Sequence, residues 1–145
     1  MKIQNKDIFH GAGLTQIVEH RSFKALNKAD EKYGHYLVNT DRRFMLKYGK
    51  SKKGPWQFTF GPDDLRTLKR DVALNGKVFL CLVCGDKTVG CLDESEFSQL
   101  IDTSAATQQF ITLEFPKGGS SRARGSQGQL RATIPHNLFP EKIFR

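Results

Sequence analysis

No stretch of this chain stays apolar for the roughly 18–20 residues that a membrane-spanning helix needs. The opening residues, MKIQNKDIFHGAG, hold no apolar core of signal-peptide length, so secretion is not expected. Cysteine is scarce. The chain has 3 cysteines, an odd number that makes a poor disulfide framework, and two of them sit inside the apolar run VFLCLVC. The expectation is a cytoplasmic protein whose thiols are buried and behave as small hydrophobes. Acids are also in short supply, with 15 Asp and Glu against 23 Lys and Arg, for a net charge of +8.

What is present reads as an ordinary globular chain. Its 145 residues, 38% hydrophobic with a mean hydropathy of −0.48, suit one domain spanning 1–145 with a core that needs no staples. The charge is uneven. Residues 1–60 carry +7, residues 61–100 carry −2 and residues 101–145 carry +3. Such a surface concentrates and steers polyanions.

Leu14, Ile17 and Val18 predict an N-terminal helix over residues 7–20, entered through the glycines of HGAG. Ser22 is placed to cap a short second turn through FKALNKADEKYG, with Gly34 as its stop. From His35 the period changes to that of strands. HYLV and RFMLKY are separated by NTDR, which has turn chemistry, and predict a hairpin. In RFMLKY, Phe44, Leu46 and Tyr48 share one face; Arg43, Met45 and Lys47 share the other. The loop KSKKGP leads to WQFTF, where Trp56, Phe58 and Phe60 alternate inward as the third strand of an antiparallel meander. Trp56 therefore reads as core.

GPDDLRTLKRDV predicts a helix with Pro62 in its first turn and Asp63 and Asp64 beside its N-terminal dipole. Its buried stripe is Leu65, Leu68 and Val72. KVFLCLVC reads as a central strand covered on both faces, with TVGCL as its hairpin partner. DESEFSQLID predicts a further helix on the capping-box spacing of Asp93 and Glu96. QQFITLEF and LRATIP predict a final strand pair, joined by a flexible basic loop over 117–129. The tail NLFPEKIF brings enough apolar side chains to dock on the core. The fold class is α+β, a single domain.

Few residues suggest bond-making chemistry. Cys81 and Cys84 spell C-x-x-C, but on a strand side chains three apart face opposite sides, so they cannot share a metal. Cys91 does not repair this. His10, His20, His35 and His136 have no ligand spacing. HGAG resembles a tight turn suited to an anion at a helix N-terminus, but four residues read first as an ordinary glycine-rich helix entry. Asp63, Asp64, Asp93, Glu94 and Glu96 have a sufficient capping role at helix starts. No metal site or cofactor is expected.

Two basic stretches are the stronger signal. Arg42, Arg43, Lys47, Lys50, Lys52 and Lys53 fall on the first hairpin and its loop, with no acid between Arg42 and Lys53. Lys117, Arg122, Arg124 and Arg131 occupy or flank KGGSSRARGSQGQLR, which holds four glycines and no acid. Guanidinium groups and exposed amides suit a phosphate backbone. The expected function is a non-enzymatic nucleic-acid-binding domain. A protein-interaction module meeting an acidic partner is the rival among binding functions.

The order helix, meander, helix, apolar strand, over roughly residues 12–84, resembles the core of the restriction-endonuclease-like PD-(D/E)xK nucleases, including Holliday-junction resolvases. That resemblance implies a Mg²⁺-dependent nuclease as an alternative, with Lys47, Asp41 and Glu19 or Asp64 in its site. Lys47 matches the family's lysine, but Met45 stands where the family carries a carboxylate. Asp41, six residues before Lys47, is too close for the usual first acid. A divalent ion would lack its hard oxygen ligands. HGAGLTQIVEH, PWQFTF and FLCLVCG also look like phrases of small bacterial proteins of uncharacterised function, which implies no mechanism.

Overall fold

The computed structural model describes residues 1–116, 119–135 and 137–145. Lys117 and His136 lie outside the described residues. In chain order the elements are α1 (Asn5–Val18), β1 (Leu26–Lys28), β2 (His35–Val38), β3 (Arg42–Gly49), β4 (Trp56–Phe60), α2 (Pro62–Val72), β5 (Lys77–Cys84), β6 (Thr88–Asp93), α3 (Glu94–Phe97), β7 (Gln109–Glu114), β8 (Arg122–Gly125) and β9 (Gly128–Gln129). A 3₁₀ turn, Glu141–Phe144, follows. The fold is α+β, as the sequence predicts.

Two sheets form. Sheet A has the order β1-β2-β3-β5-β6, and sheet B the order β4-β7-β8-β9. β3 and β5 run parallel, which requires a long crossover, and β4 with α2 supplies it. The antiparallel meander is therefore β1-β2-β3. β4, expected beside β3, instead pairs with β7 in the second sheet. Its inward Trp56, Phe58 and Phe60 are buried as the alternation predicts.

The short helix expected after Ser22 does not form. Asn39 explains why: its Oδ1 accepts from the N–H groups of Lys24 at 2.8 Å and Ala25 at 3.3 Å, and its side chain donates to the carbonyl of Ser22. With those amides satisfied from a distance, residues 26–28 pair with β2. α1 also begins earlier than expected, so HGAG lies inside the helix, where its amides serve the helical ladder. Val18, predicted inward, is exposed.

The core is divided by sheet A. Between the sheets lie Met45, Leu80, Leu82 and Cys84 with Phe58, Phe60, Ile111 and Leu113 of sheet B, closed by Leu65 and Leu68 of α2. On the other face lie Phe44, Leu46, Phe79, Cys81 and Val83 with Ile17 of α1 and Phe139 and Ile143 of the tail. β5 is covered on both faces, as its unbroken apolar run predicts. β3 is covered on both as well, so Met45 is core and the strand's second face is not the polar one expected. Arg42 holds the tail, donating to the carbonyl of Ile143 at 2.6 Å and to that of Arg145 at 3.1 Å. The glycine- and arginine-rich stretch expected as a loop carries β8 and β9. LRATIP, instead of a strand, makes a hydrogen bond from Leu130 to the Ala123 carbonyl and a two-way bridge between Ile134 and Ser121.

Candidate functional site

The register of sheet B decides where the basic residues meet. Gln57, Thr112, Arg124 and Gln129 are successive partners across its four strands. They share the outer face, opposite the inward Phe58, Ile111 and Ala123, over a span of about 14 Å at ordinary strand spacing. Thr59 and Phe110 form the next rank, and Phe110 is 38% exposed. Arg122 lies opposite Glu114, and Arg124 reaches Glu114 at 2.9 Å.

The loop with Lys50, Lys52 and Lys53 enters β4 at the end of sheet B where β7 finishes and β8 begins. A cleft of about 410 Å³ joins the two, lined by Gly54, Pro55 and Trp56 on one side and Glu114, Phe115 and Arg122 on the other. Part of each basic stretch, the lysine loop from the first and the start of β8 from the second, thus lies at one end of sheet B. All three lysines and Arg122 are exposed. Among the described residues none of the four has a carboxylate partner. Arg131 is exposed on the return after β9.

The remaining basic residues are placed differently. Arg42 pairs with Asp41 and secures the tail. Arg43 lines a cleft with Arg70, Asp71 and His35 at the β2–β3 side of sheet A. Lys47 pairs with Asp64 at 2.7 Å, and Lys32 binds the other oxygen of the same carboxylate at 2.6 Å. Burial alone would raise the Asp64 pKa, but the hydrogen bonds from Lys32 and then Lys47 outweigh it and hold it below the usual carboxylate range. Asp64 also accepts from the Gly61 N–H, the capping job its place predicts.

The residues implied by a nuclease likeness are not gathered. Lys47 and Asp64 meet. Asp41 lies six positions before Lys47 at the far end of β3, a separation of about 20 Å for a strand. Glu19 caps the C-terminal end of α1. Met45 is buried between the sheets. Among the described residues no three His, Cys, Asp or Glu side chains come together in a way that could hold a metal ion. Cys84 faces the inter-sheet core, whereas Cys81 and Cys91 are opposite partners facing α1. Burial pushes the Cys84 thiol up to about 12 and the Cys81 thiol well above its ordinary value, so neither is a ready nucleophile.

A second cleft, of about 400 Å³, lies between α1, β3 and β4, and the sequence reading did not anticipate it. Lys6 and His10 come from α1, Tyr33 from the turn before β2, Lys47 from β3, and Gln57 and Thr59 from β4. Lys6 and His10 are four apart and therefore on one side of α1, the only trace of the cleft in the sequence. Tyr33 is 54% exposed, with the Lys6 ammonium 4.8 Å from its ring centre and the His10 ring 4.7 Å away. His10 itself is buried, and its Nδ1 is enclosed without a partner. Burial, then the charges of Lys47 and Lys6, depress its pKa, with Asp7 opposing. Among the described residues no helix is long and apolar enough to cross a membrane. In comparison with known proteins, no family model, no curated protein and no solved structure matches the chain.

Proposed function

We propose that this protein binds the phosphate backbone of nucleic acid, without catalysing its cleavage, through the basic end of sheet B. The observation that carries this reading is the cleft joining the lysine loop to β8. Arg122 lines it beside Glu114. The loop that carries Lys50, Lys52 and Lys53, exposed and unpaired among the described residues, leads into it through Gly54 and Pro55. Arg124, paired with Glu114, continues the line across the outer face. Cations held in the open without partners keep the molecule's own repulsion in place, and a polyanion relieves it. Phe110, 38% exposed on the same outer face, offers a ring on which an unpaired base can stack.

Fluorescence anisotropy with labelled duplex and single-stranded oligonucleotides over a range of KCl concentrations tests this. Five cations predict that log K falls against log salt with a slope of about −3.5 on single strands to about −4.5 on duplex. Replacing Lys50, Lys52, Lys53, Arg122 and Arg124 together by Gln should flatten the slope and abolish binding at moderate salt. Binding without salt dependence, or unchanged by the five substitutions, overturns the reading. Recovery of a single acidic protein in nuclease-treated pull-downs, with no oligonucleotide bound, would favour a protein-interaction role.

A further inference from the structure

We propose that the cleft between α1, β3 and β4 seats the terminal phosphomonoester of a nucleic-acid strand lying on the outer face of sheet B. The proposal rests on the backbone-binding reading and adds to it a specific end of the ligand.

Continuity with sheet B is the first argument. Gln57 and Thr59, both on β4, line the cleft and also end two neighbouring ranks of the outer face, Gln57 the one that contains Arg124 and Thr59 the one that contains Phe110. A strand crossing from β8 towards β4 therefore runs into the cleft. On its far side Lys6, His10 and Tyr33 form a wall from α1 and the turn before β2. An internal phosphodiester would have to continue through that wall; a terminus does not.

The chemistry of the lining is the second argument. Lys6 and Lys47 both line the cleft, Lys47 with its ammonium shared with Asp64, and Tyr33, Thr59 and Gln57 bring further donor groups to the lining. A phosphomonoester is close to a dianion at neutral pH, with three acceptor oxygens, and matches this set better than a singly charged diester. His10 is the third argument. Its side chain is 5% exposed, yet no protein hydrogen bond to either ring nitrogen exists among the described residues. Buried imidazoles are ordinarily paired. The charged and titratable groups around it are Lys6 and Asp7 on α1, Tyr33 on the turn, and Lys47 and Tyr48 on β3. Burial first, and then the charges of Lys47 and Lys6, hold the His10 pKa down; a dianion seated against the ring offsets the lysine charges and offers the buried Nδ1 the acceptor it lacks. The ring then takes up a proton and becomes a donor.

The test uses the full chain and one short single strand carrying a phosphate at its 5′ end, at its 3′ end or at neither, with the fluorophore placed internally. One of the two phosphorylated forms should bind about tenfold more tightly than the unphosphorylated strand, the gain of one charge-assisted contact. His10→Gln and Lys6→Gln should each erase that gain while leaving the affinity for the unphosphorylated strand unchanged. In NMR spectra the His10 ring should titrate at higher pH in complex with the phosphorylated strand, and not with the unphosphorylated one. Salt-dependent binding that ignores both ends overturns the end-binding proposal and leaves the backbone reading standing. Loss of all oligonucleotide binding removes both. A 5′- or 3′-mononucleotide that shifts His10 when no phosphorylated strand does would make the cleft a free-nucleotide site and equally overturn the proposal.

Discussion

His35 is buried with a carboxylate on each ring nitrogen. Its Nε2 lies 2.6 Å from Asp71 and its Nδ1 2.9 Å from Asp30, with Arg70 completing the group at 3.1 Å from Asp30. Burial would lower the His35 pKa, but the hydrogen bonds to Asp71 and then Asp30 outweigh it and raise it above 6.5. A raised folded value means that this stabilisation is whole below 6.5 and is lost as pH rises through the folded pKa. Asp30 works in the opposite direction. Burial would raise it, the hydrogen bonds from His35 and the Lys32 amide prevail, and its contribution is lost only as pH falls through a value below 3.8. Urea midpoints followed from slightly acid to mildly alkaline pH should therefore decline for the native protein. For His35→Gln that decline should be absent, and a parallel decline in both proteins would exclude His35 as the cause. His35→Ala should cost about 3–5 kcal/mol, because it leaves Asp71 buried without its partner.

At the level of elements, two glycines set how closely layers approach. Gly34 has φ +81°, and a Cβ there would stand 2.8 Å from the carbonyl of Leu46 and 3.1 Å from His10 Cε1. It lets the turn before β2 pass beside β3 and leaves room for the His10 ring. Gly90 on β6 faces sheet B, where a Cβ would meet Leu113 Cδ1 at 2.5 Å. The two sheets close on each other at that point. Gly90→Ala should destabilise the protein by about 1–3 kcal/mol through overpacking. The double variant with Leu113→Val should recover part of the loss in chemical denaturation. No recovery would place the strain in β6 itself. Short elements are held by neighbours: α3 has the capping box of Asp93 and Glu96, and Glu96 also receives the Lys142 ammonium of the tail.

Across the whole molecule, the two cores share β3 and β5. Sheet B and α2 cover one face of these strands, α1 and the tail the other. Damage to one core should then reach the other. Leu80→Ala, in the inter-sheet core, should cost about 2–5 kcal/mol. Hydrogen exchange of α1 amides should accelerate together with that of sheet B, as a single cooperative unit requires. Acceleration confined to sheet B would mean that the layers unfold independently.

Much of this was legible along the chain because it depends on local chemistry. The inward alternation of WQFTF, the two-faced burial of KVFLCLVC, the Pro62–Asp64 helix start and the docked tail each follow from periodicity, capping or apolar content. The α+β class follows from their order. The partners of those elements were not legible. Whether β4 lies beside β3 or β7, and whether LNK becomes helix or strand, is settled by non-local hydrogen bonds such as those of Asn39, which no window of sequence contains. The candidate site divides along the same line. Composition and charge spacing singled out Lys50, Lys52, Lys53, Arg122 and Arg124 among the basic residues, since a run of bases without acids is visible along the chain. Tertiary pairing alone removed Arg42 to the tail and tied Lys47 to Asp64. It also brought His10, Lys6 and Tyr33 against Gln57 and Thr59, because a cleft is a relation between surfaces that the chain reaches only after folding.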